Sequence, residues 1–148
     1  MAMENTPREE IRRIVEAQRE FFRSGRTLDL KFRKESLCAL KRAMEKWEKP
    51  LADALWQDLH KSYEEAYLTE LSIVLGEIRN HISHLSKWAA PKRVCTPLKM
   101  FPSRSKVVQE PLGCSLIMAP WNYPVQLLLN PLVGAISAGC TAVLKPSP

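Results

Sequence analysis

The 148-residue sequence predicts an α/β chain in which an N-terminal helical segment leads into a β-hairpin and then into the start of a parallel sheet. Three observations predict it. Apolar stripes at helical spacing fill the first 90 residues. Beyond residue 105 the pattern changes to short apolar runs. Two of those runs are joined by a helix-length apolar segment, and strand–helix–strand is the connection that a parallel pair requires. Charge divides along the same line: Lys145 is the one charged residue between Pro111 and Pro148, and eight of the eleven prolines lie at or after Pro97. The expected division is N-terminal helices over 1–90, a connector over 91–105, and the hairpin with a first βαβ unit over 106–148.

The helices follow from caps, periods and stops. Thr6-Pro7-Arg8-Glu9 reads as a capping box with proline at the first helical position, followed at helical spacing by Ile11, Ile14, Val15, Phe21 and Phe22. Gly25 supplies a left-handed stop. A second helix is expected from about Asp29, with Leu37, Leu40, Met44 and Trp47 as its buried stripe and a break before Pro50. A third, short one runs from Pro50 to about His60. Ser62-Tyr63-Glu64-Glu65 is a second capping box and opens a long helix whose stripe runs from Tyr67 through Leu71, Val74, Ile78 and Leu85 to Trp88, closed before Pro91.

In the second half, Lys106–Glu110, Pro111–Gly113 and Cys114–Ala119 read as strand, turn and strand. The continuous apolar run of the second strand is what burial on both faces of a parallel sheet demands. Pro124–Ala138 is a helix ended by Gly139, and Thr141–Lys145 is another short strand. Val125–Leu144 carries no charge over a length that could span a bilayer. Gln126, Asn130, Pro131, Ser137 and Thr141 dilute it and no basic cluster follows, so a buried crossover helix is expected and no transmembrane segment. Two parallel strands with one crossover leave open edges. Further chain or a partner is expected to complete the sheet.

Composition excludes several classes. With 45% apolar and 26% charged residues the chain has material for a core, which excludes a disordered tail, a collagen-like repeat and a coiled coil. The net charge of +6 comes from basic residues interleaved with acids, as at Arg12-Arg13 beside Glu9, Glu10 and Glu16, which reads as a solvated helix face rather than a nucleic-acid surface. Met1–Glu10 holds no apolar signal core and the four cysteines form no C-x-x-C pair, so a reducing, cytoplasmic setting is expected. His81 and His84 are expected to face solvent, with no metal site. Cys38, Cys95, Cys114 and Cys140 read as small buried hydrophobes, none in a nucleophile motif. No glycine-rich dinucleotide or phosphate loop is present.

One segment does carry chemistry. Ala119-Pro120-Trp121-Asn122-Tyr123-Pro124 follows the first buried strand, at the carboxyl edge where open α/β sheets bind ligands. The two flanking prolines fix its backbone. Asn122 offers an uncharged N–H donor suited to an oxyanion, or alternatively caps the next helix. Lys145 ends the second strand on the same edge, as a solvated lysine or as a donor to a ligand hydroxyl or phosphate.

Taken together, Glu110-Pro-Leu-Gly113, Ala119-Pro-Trp-Asn-Tyr-Pro124, Asn130-Pro-Leu-Val-Gly-Ala-Ile136, Ala138-Gly139 and Ala142-Val-Leu-Lys-Pro-Ser147 resemble the aldehyde dehydrogenase superfamily. Phe22-Arg-Ser-Gly-Arg-Thr27, Asp58-Leu-His-Lys61 and Trp88-Ala-Ala90 resemble its class 3, fatty-aldehyde-type branch. The resemblance implies the N-terminal portion of an incomplete aldehyde dehydrogenase fold with a Rossmann-like sheet. It implies oxidation of aldehydes to carboxylic acids with NAD or NADP, Asn122 as a catalytic oxyanion donor, and Met118, Ala119, Pro120 and Trp121 lining the nicotinamide-ribose channel. It assigns Lys145 to the adenosine ribose hydroxyls, and implies a homodimer through the hairpin region. Pro148 stands where class 3 members often carry a ribose-binding glutamate, which leaves NADP open. The nucleophilic cysteine, general-base glutamate and glycine motif of the family match nothing in these residues, so the chain alone is expected to be inactive. The alternative is a non-catalytic interaction protein that pairs with a full-length subunit.

Overall fold

A computed structural model describes residues 5–147; Pro148, and with it the ribose-glutamate position, lies outside them. Helices α1 (Arg8–Arg23), α2 (Leu30–Lys46) and α3 (Glu48–Leu59) come first. A long helix follows, built from α4 (Tyr63–Ala66), a π-helical turn at Tyr67–Leu71 and α5 (Ser72–Trp88). Then come β1 (Lys92–Val94), β2 (Ser105–Val107), β3 (Cys114–Met118), α6 (Pro124–Ala138) and β4 (Thr141–Lys145). The α/β architecture is the one the sequence predicts, and the helices come in the expected order, with α3 starting at Glu48 rather than at Pro50.

The local chemistry explains most boundaries and corrects one. Pro7, with ψ of 143°, is the N-cap of α1 rather than its first residue, and no side chain caps that end. Thr6 therefore stands one residue too early for the reciprocal pairing with Glu9, and the first capping box does not form. Gly25 takes φ of 75° and turns the chain, as expected. Asp29 caps α2 by accepting the Lys31 N–H at 3.0 Å. Pro50 sits in the first turn of α3, where helical N–H groups have no partner to lose. Ser62 Oγ accepts the Glu65 N–H at 3.2 Å and starts the long helix.

Leu37 and Met44 of α2, Leu55 of α3, and Leu71, Val74, Ile78 and Leu85 of the long helix pack with Val133 of α6 into one core. Each such side chain contributes about 1.5–3 kcal/mol by leaving water. Trp47 and Trp88, expected in the buried stripes, are exposed. Trp47 lies at the junction of α2 and α3, and Trp88 at the last turn of α5 rests on the rings of His81 and His84, at centroid distances of 5.0 and 5.4 Å.

The expected hairpin pairs differently. β2 runs antiparallel to β1, with Lys92 opposite Val107 and Val94 opposite Ser105, and not to β3. The 91–105 connector thus supplies the partner strand, folding back through a short turn at Leu98–Met100 and a bond from the Ser105 N–H to Thr96 Oγ1 of 2.8 Å. Lys92-Arg93-Val94 has no apolar alternation, so nothing in the sequence marks it as a strand.

β3 and β4 form the expected parallel pair, with Cys114 opposite Thr141 and Met118 opposite Lys145. Helix α6 crosses between them and packs on α5 and α2, while α1 packs on β4. Thr141 Oγ1 donates to the Gln18 carbonyl at 3.1 Å and ties α1 to that strand. Leu116 and Met118 are exposed, so β3 keeps one open apolar face instead of burial on both. No helix of the described residues is long and apolar enough to cross a membrane.

Candidate functional site at the carboxyl edge of the parallel pair

β3 ends in an ordered turn. The Ala119 N–H donates to the Lys145 carbonyl at 3.1 Å, which carries the ladder one residue past Met118 and ties the two ends together. Directly opposed residues of a parallel pair point to the same face. Met118 and Lys145 are so opposed, and both side chains are exposed. Ala119 is buried, whereas Pro120, Trp121 and Asn122 are exposed, Trp121 at 66%. The six residues singled out from the sequence, Met118 through Asn122 and Lys145, therefore share one edge. A planar aromatic and a thioether lie there beside an uncharged amide and the one cation of the tail. That donor set fits a dinucleotide: ammonium N–H groups for ribose hydroxyls or a phosphate, and apolar surface for a flat ring.

The alternative role for Asn122, capping the following helix, goes elsewhere. Tyr123 is the N-cap of α6 and gives no side-chain bond. The free N–H groups of the first turn point at Glu70, whose Oε2 accepts from Val125 at 2.9 Å and from Gln126 at 3.2 Å. The other oxygen of Glu70 accepts from Lys61 Nζ at 2.7 Å. Lys61 in turn donates to the Asn122 carbonyl at 2.8 Å and lies 3.8 Å from the Tyr123 ring centroid. Glu70 is fully buried and Lys61 nearly so. Neither stands in a motif that points to a site, although Lys61 ends the string Asp58-Leu-His-Lys61. The signal for Glu70 was there: an acid three residues after Tyr67 and four before Val74 falls on the apolar stripe of the long helix.

The far end of α6 is closed by another buried charge. Gly139, at φ of 88°, ends the helix with the Cys140 N–H on the Ala135 carbonyl and its own N–H on that of Ile136. Arg33 covers this turn, donating to the carbonyls of Thr27 at 2.6 Å, Leu28 at 3.2 Å and Ser137 at 3.4 Å. Burial holds its guanidinium below the usual value, with Cys140 and Asp29 acting the other way. Arg33 also falls on an apolar stripe, four residues before Leu37.

His81 is half-buried, not solvent-facing, and its Nε2 pairs with Glu77 at 2.9 Å, while His84 is exposed. No cluster of metal-ligating side chains occurs among the described residues. Cys114 and Cys140 stand at the amino ends of β3 and β4, a strand length of about 16 Å from the Asn122 edge. Cys95 is exposed rather than buried, and Cys38 is half-buried. A cleft of about 500 Å³ between Arg33, His81, Trp88, Glu110 and Ser137 lies away from that edge.

Comparison with known proteins identifies the family and its fold. The aldehyde dehydrogenase family model matches residues 1–148. The chain is 46% identical over 127 residues to the 4,4'-diaponeurosporen-aldehyde dehydrogenase of Staphylococcus aureus, covering 86% of this chain and 28% of that protein. It is 42% identical over 146 residues to aldehyde dehydrogenase family 3 member F1 of Arabidopsis thaliana, covering 99% and 29%. Against the dimeric NADP-preferring aldehyde dehydrogenase of Canis lupus familiaris it is 42% identical over 137 residues, covering 93% and 30%. A substrate-bound structure of Staphylococcus aureus AldH superposes with a TM-score of 0.89 at 44% identity, over 93% of this chain and 30% of that one. The chain spans less than a third of the length of each of these proteins. It belongs to the aldehyde dehydrogenase family, in the class 3 branch, and corresponds to the N-terminal portion of its members.

Proposed function

We propose that these residues form the cofactor-side and oxyanion-side wall of an NAD- or NADP-dependent oxidoreductase that converts aldehydes to carboxylic acids. The observation that carries the reading is the Asn122 side chain, exposed at the carboxyl edge of β3 while its own carbonyl is held by buried Lys61. In this reading the Asn122 amide donates to the oxygen of an aldehyde carbon under attack by a cysteine supplied from outside residues 5–147. An amide needs no change of protonation to do so, and one such donor is worth about 10²–10³ in kcat. Lys145 donates to ribose hydroxyls or to a phosphate of the dinucleotide, and Met118, Ala119, Pro120 and Trp121 flank its nicotinamide-ribose portion. A dinucleotide held there would supply the hydride acceptor for the aldehyde carbon, and water would then hydrolyse the resulting thioester to the acid and the free thiol. The three-part division at residues 90 and 105 and a cytoplasmic location go with this reading, the latter supported by four cysteines that stand unpaired.

The test has two arms. The 148 residues alone should give no aldehyde-dependent reduction of NAD or NADP. Joined to the remaining sequence of the Staphylococcus aureus relative in place of its matching stretch, they should restore it. Turnover by the chain alone refutes the proposed inactivity, and a folded but inert chimaera refutes the site assignment.

A second reading rests on a separate observation. Leu98, Phe101, Leu112 and Leu116 are large apolar side chains exposed around the β1–β2 hairpin and on β3. Surfaces of that kind mark association. We propose this region as the contact of a homodimer, or of this chain with a full-length subunit. Sedimentation of the chain with and without Leu98→Ser and Phe101→Ser distinguishes an associating face from a merely exposed one.

A further inference from the structure

We propose that Lys61 and Glu70 are positioning residues, a buried ion pair that holds the exposed Asn122 turn in place; this rests on the role given to Asn122 above. Four points of the turn and of the helix behind it are fixed from a single ion pair. Lys61 Nζ holds the Asn122 carbonyl and lies over the Tyr123 ring, and Glu70 Oε2 holds the N–H groups of Val125 and Gln126. The pair itself closes at 2.7 Å with side-chain exposures of 9% and 0%.

Stability alone does not call for such an arrangement. A buried ion pair is on average no more stabilising than apolar side chains of the same volume, because both charges leave water. What it supplies is direction. With the carbonyl of Asn122 and the first turn of α6 both fixed, the Cα–Cβ bond of Asn122 keeps one orientation, and its amide stays on the exposed side of the turn. Glu70 reaches the turn from the π-helical stretch Tyr67–Leu71, a local widening of the kind that recurs at functional sites. An oxyanion donor displaced by about 1 Å can lose about 10²-fold in rate.

Two measurements test this. In the 148-residue chain, amide exchange of Val125 and Gln126 should be slow, and in Glu70→Ala it should accelerate at least about tenfold more than that of Ile78, which reports the loss of global stability. Acceleration no greater than that of Ile78 refutes the capping. In the chimaera, Lys61→Met with Glu70→Gln removes both charges together and leaves an amide oxygen to accept from Val125, so no lone charge is buried. This double variant should lower kcat by about 10–100-fold with KM for the dinucleotide unchanged. In an Asn122→Ala background the same change should lower kcat by no more than about twofold, the additivity margin of unrelated sites. Losses that multiply instead of merging, or an unchanged kcat, refute positioning through Asn122 and leave the Asn122 assignment standing. If Asn122→Ala itself leaves kcat unchanged, it is that assignment which fails.

Discussion

The two ends of α6 solve the same problem with opposite charges. The helix carries no charged residue of its own, so the free N–H groups at its start and the free carbonyls at its end have only uncharged local partners. An anion from the long helix, Glu70, completes the first end, and a cation from α2, Arg33, completes the second. Both signs match the helix dipole. The ends differ in what surrounds them. Arg33 spends its donors on three carbonyls and seals a turn that has no room to spare. Glu70 is neutralised by Lys61, which holds a turn whose outer side chains are left in the open. The charged end that is packed over serves the fold. The charged end that supports an exposed turn serves, in the proposed reading, the site at Asn122.

This comparison can be broken at either end, and the largest effect is expected at the first. Lys61→Met alone leaves Glu70 buried without its cation and should destabilise the chain by about 3–5 kcal/mol, read by denaturant unfolding. A loss under about 1 kcal/mol would mean that the pair is not held as described. Asn122→Ala comes next. It should lower kcat of the chimaera by about 10²–10³, or about 2.7–4 kcal/mol, with the unfolding midpoint unchanged. At the other end, Gly139→Ala must adopt a left-handed φ of 88° with its Cβ 2.7 Å from Arg33. It should lower stability by about 1–3 kcal/mol through backbone strain and displacement of the guanidinium, with little effect on kcat/KM in the chimaera. A larger loss of rate than of stability would erase the distinction between the two ends.

The smallest effect is expected far from both. Arg13 bonds to Glu10 on the exposed face of α1 and holds the Glu10 carboxyl below the usual carboxylate range. Such a group adds stability above the unfolded value, and the gain is lost as pH falls through the lowered folded value. Exposure to solvent screens this to near nothing. Glu10→Gln should therefore leave the thermal midpoint at pH 7 unchanged within error.

How much of this was readable in the chain differs by element. The long helix was readable because cap, period and stop agree at Ser62, Leu71 and Pro91. The βαβ unit was readable because apolar runs and Gly139 punctuate it. The edge bearing Met118 to Asn122 and Lys145 followed, since strand direction fixes which end carries the turn. The β1–β2 pairing was not readable: three residues, two of them basic, give no alternation to detect. Period alone puts Trp47 and Trp88 inside, because it does not register that a helix terminus stops short of the core.

By itself the sequence determined the elements, their order, the shared edge and the family, because periodicity, glycine stops and short motifs are local properties. The tertiary structure decided which distant charges finish α6 and hold its turn. Lys61 precedes Asn122 by 61 residues and Arg33 precedes Ser137 by 104. A buried charge on an apolar stripe announces that some partner exists. Which carbonyl or N–H becomes that partner depends on how the helices pack, and no spacing along the chain encodes it.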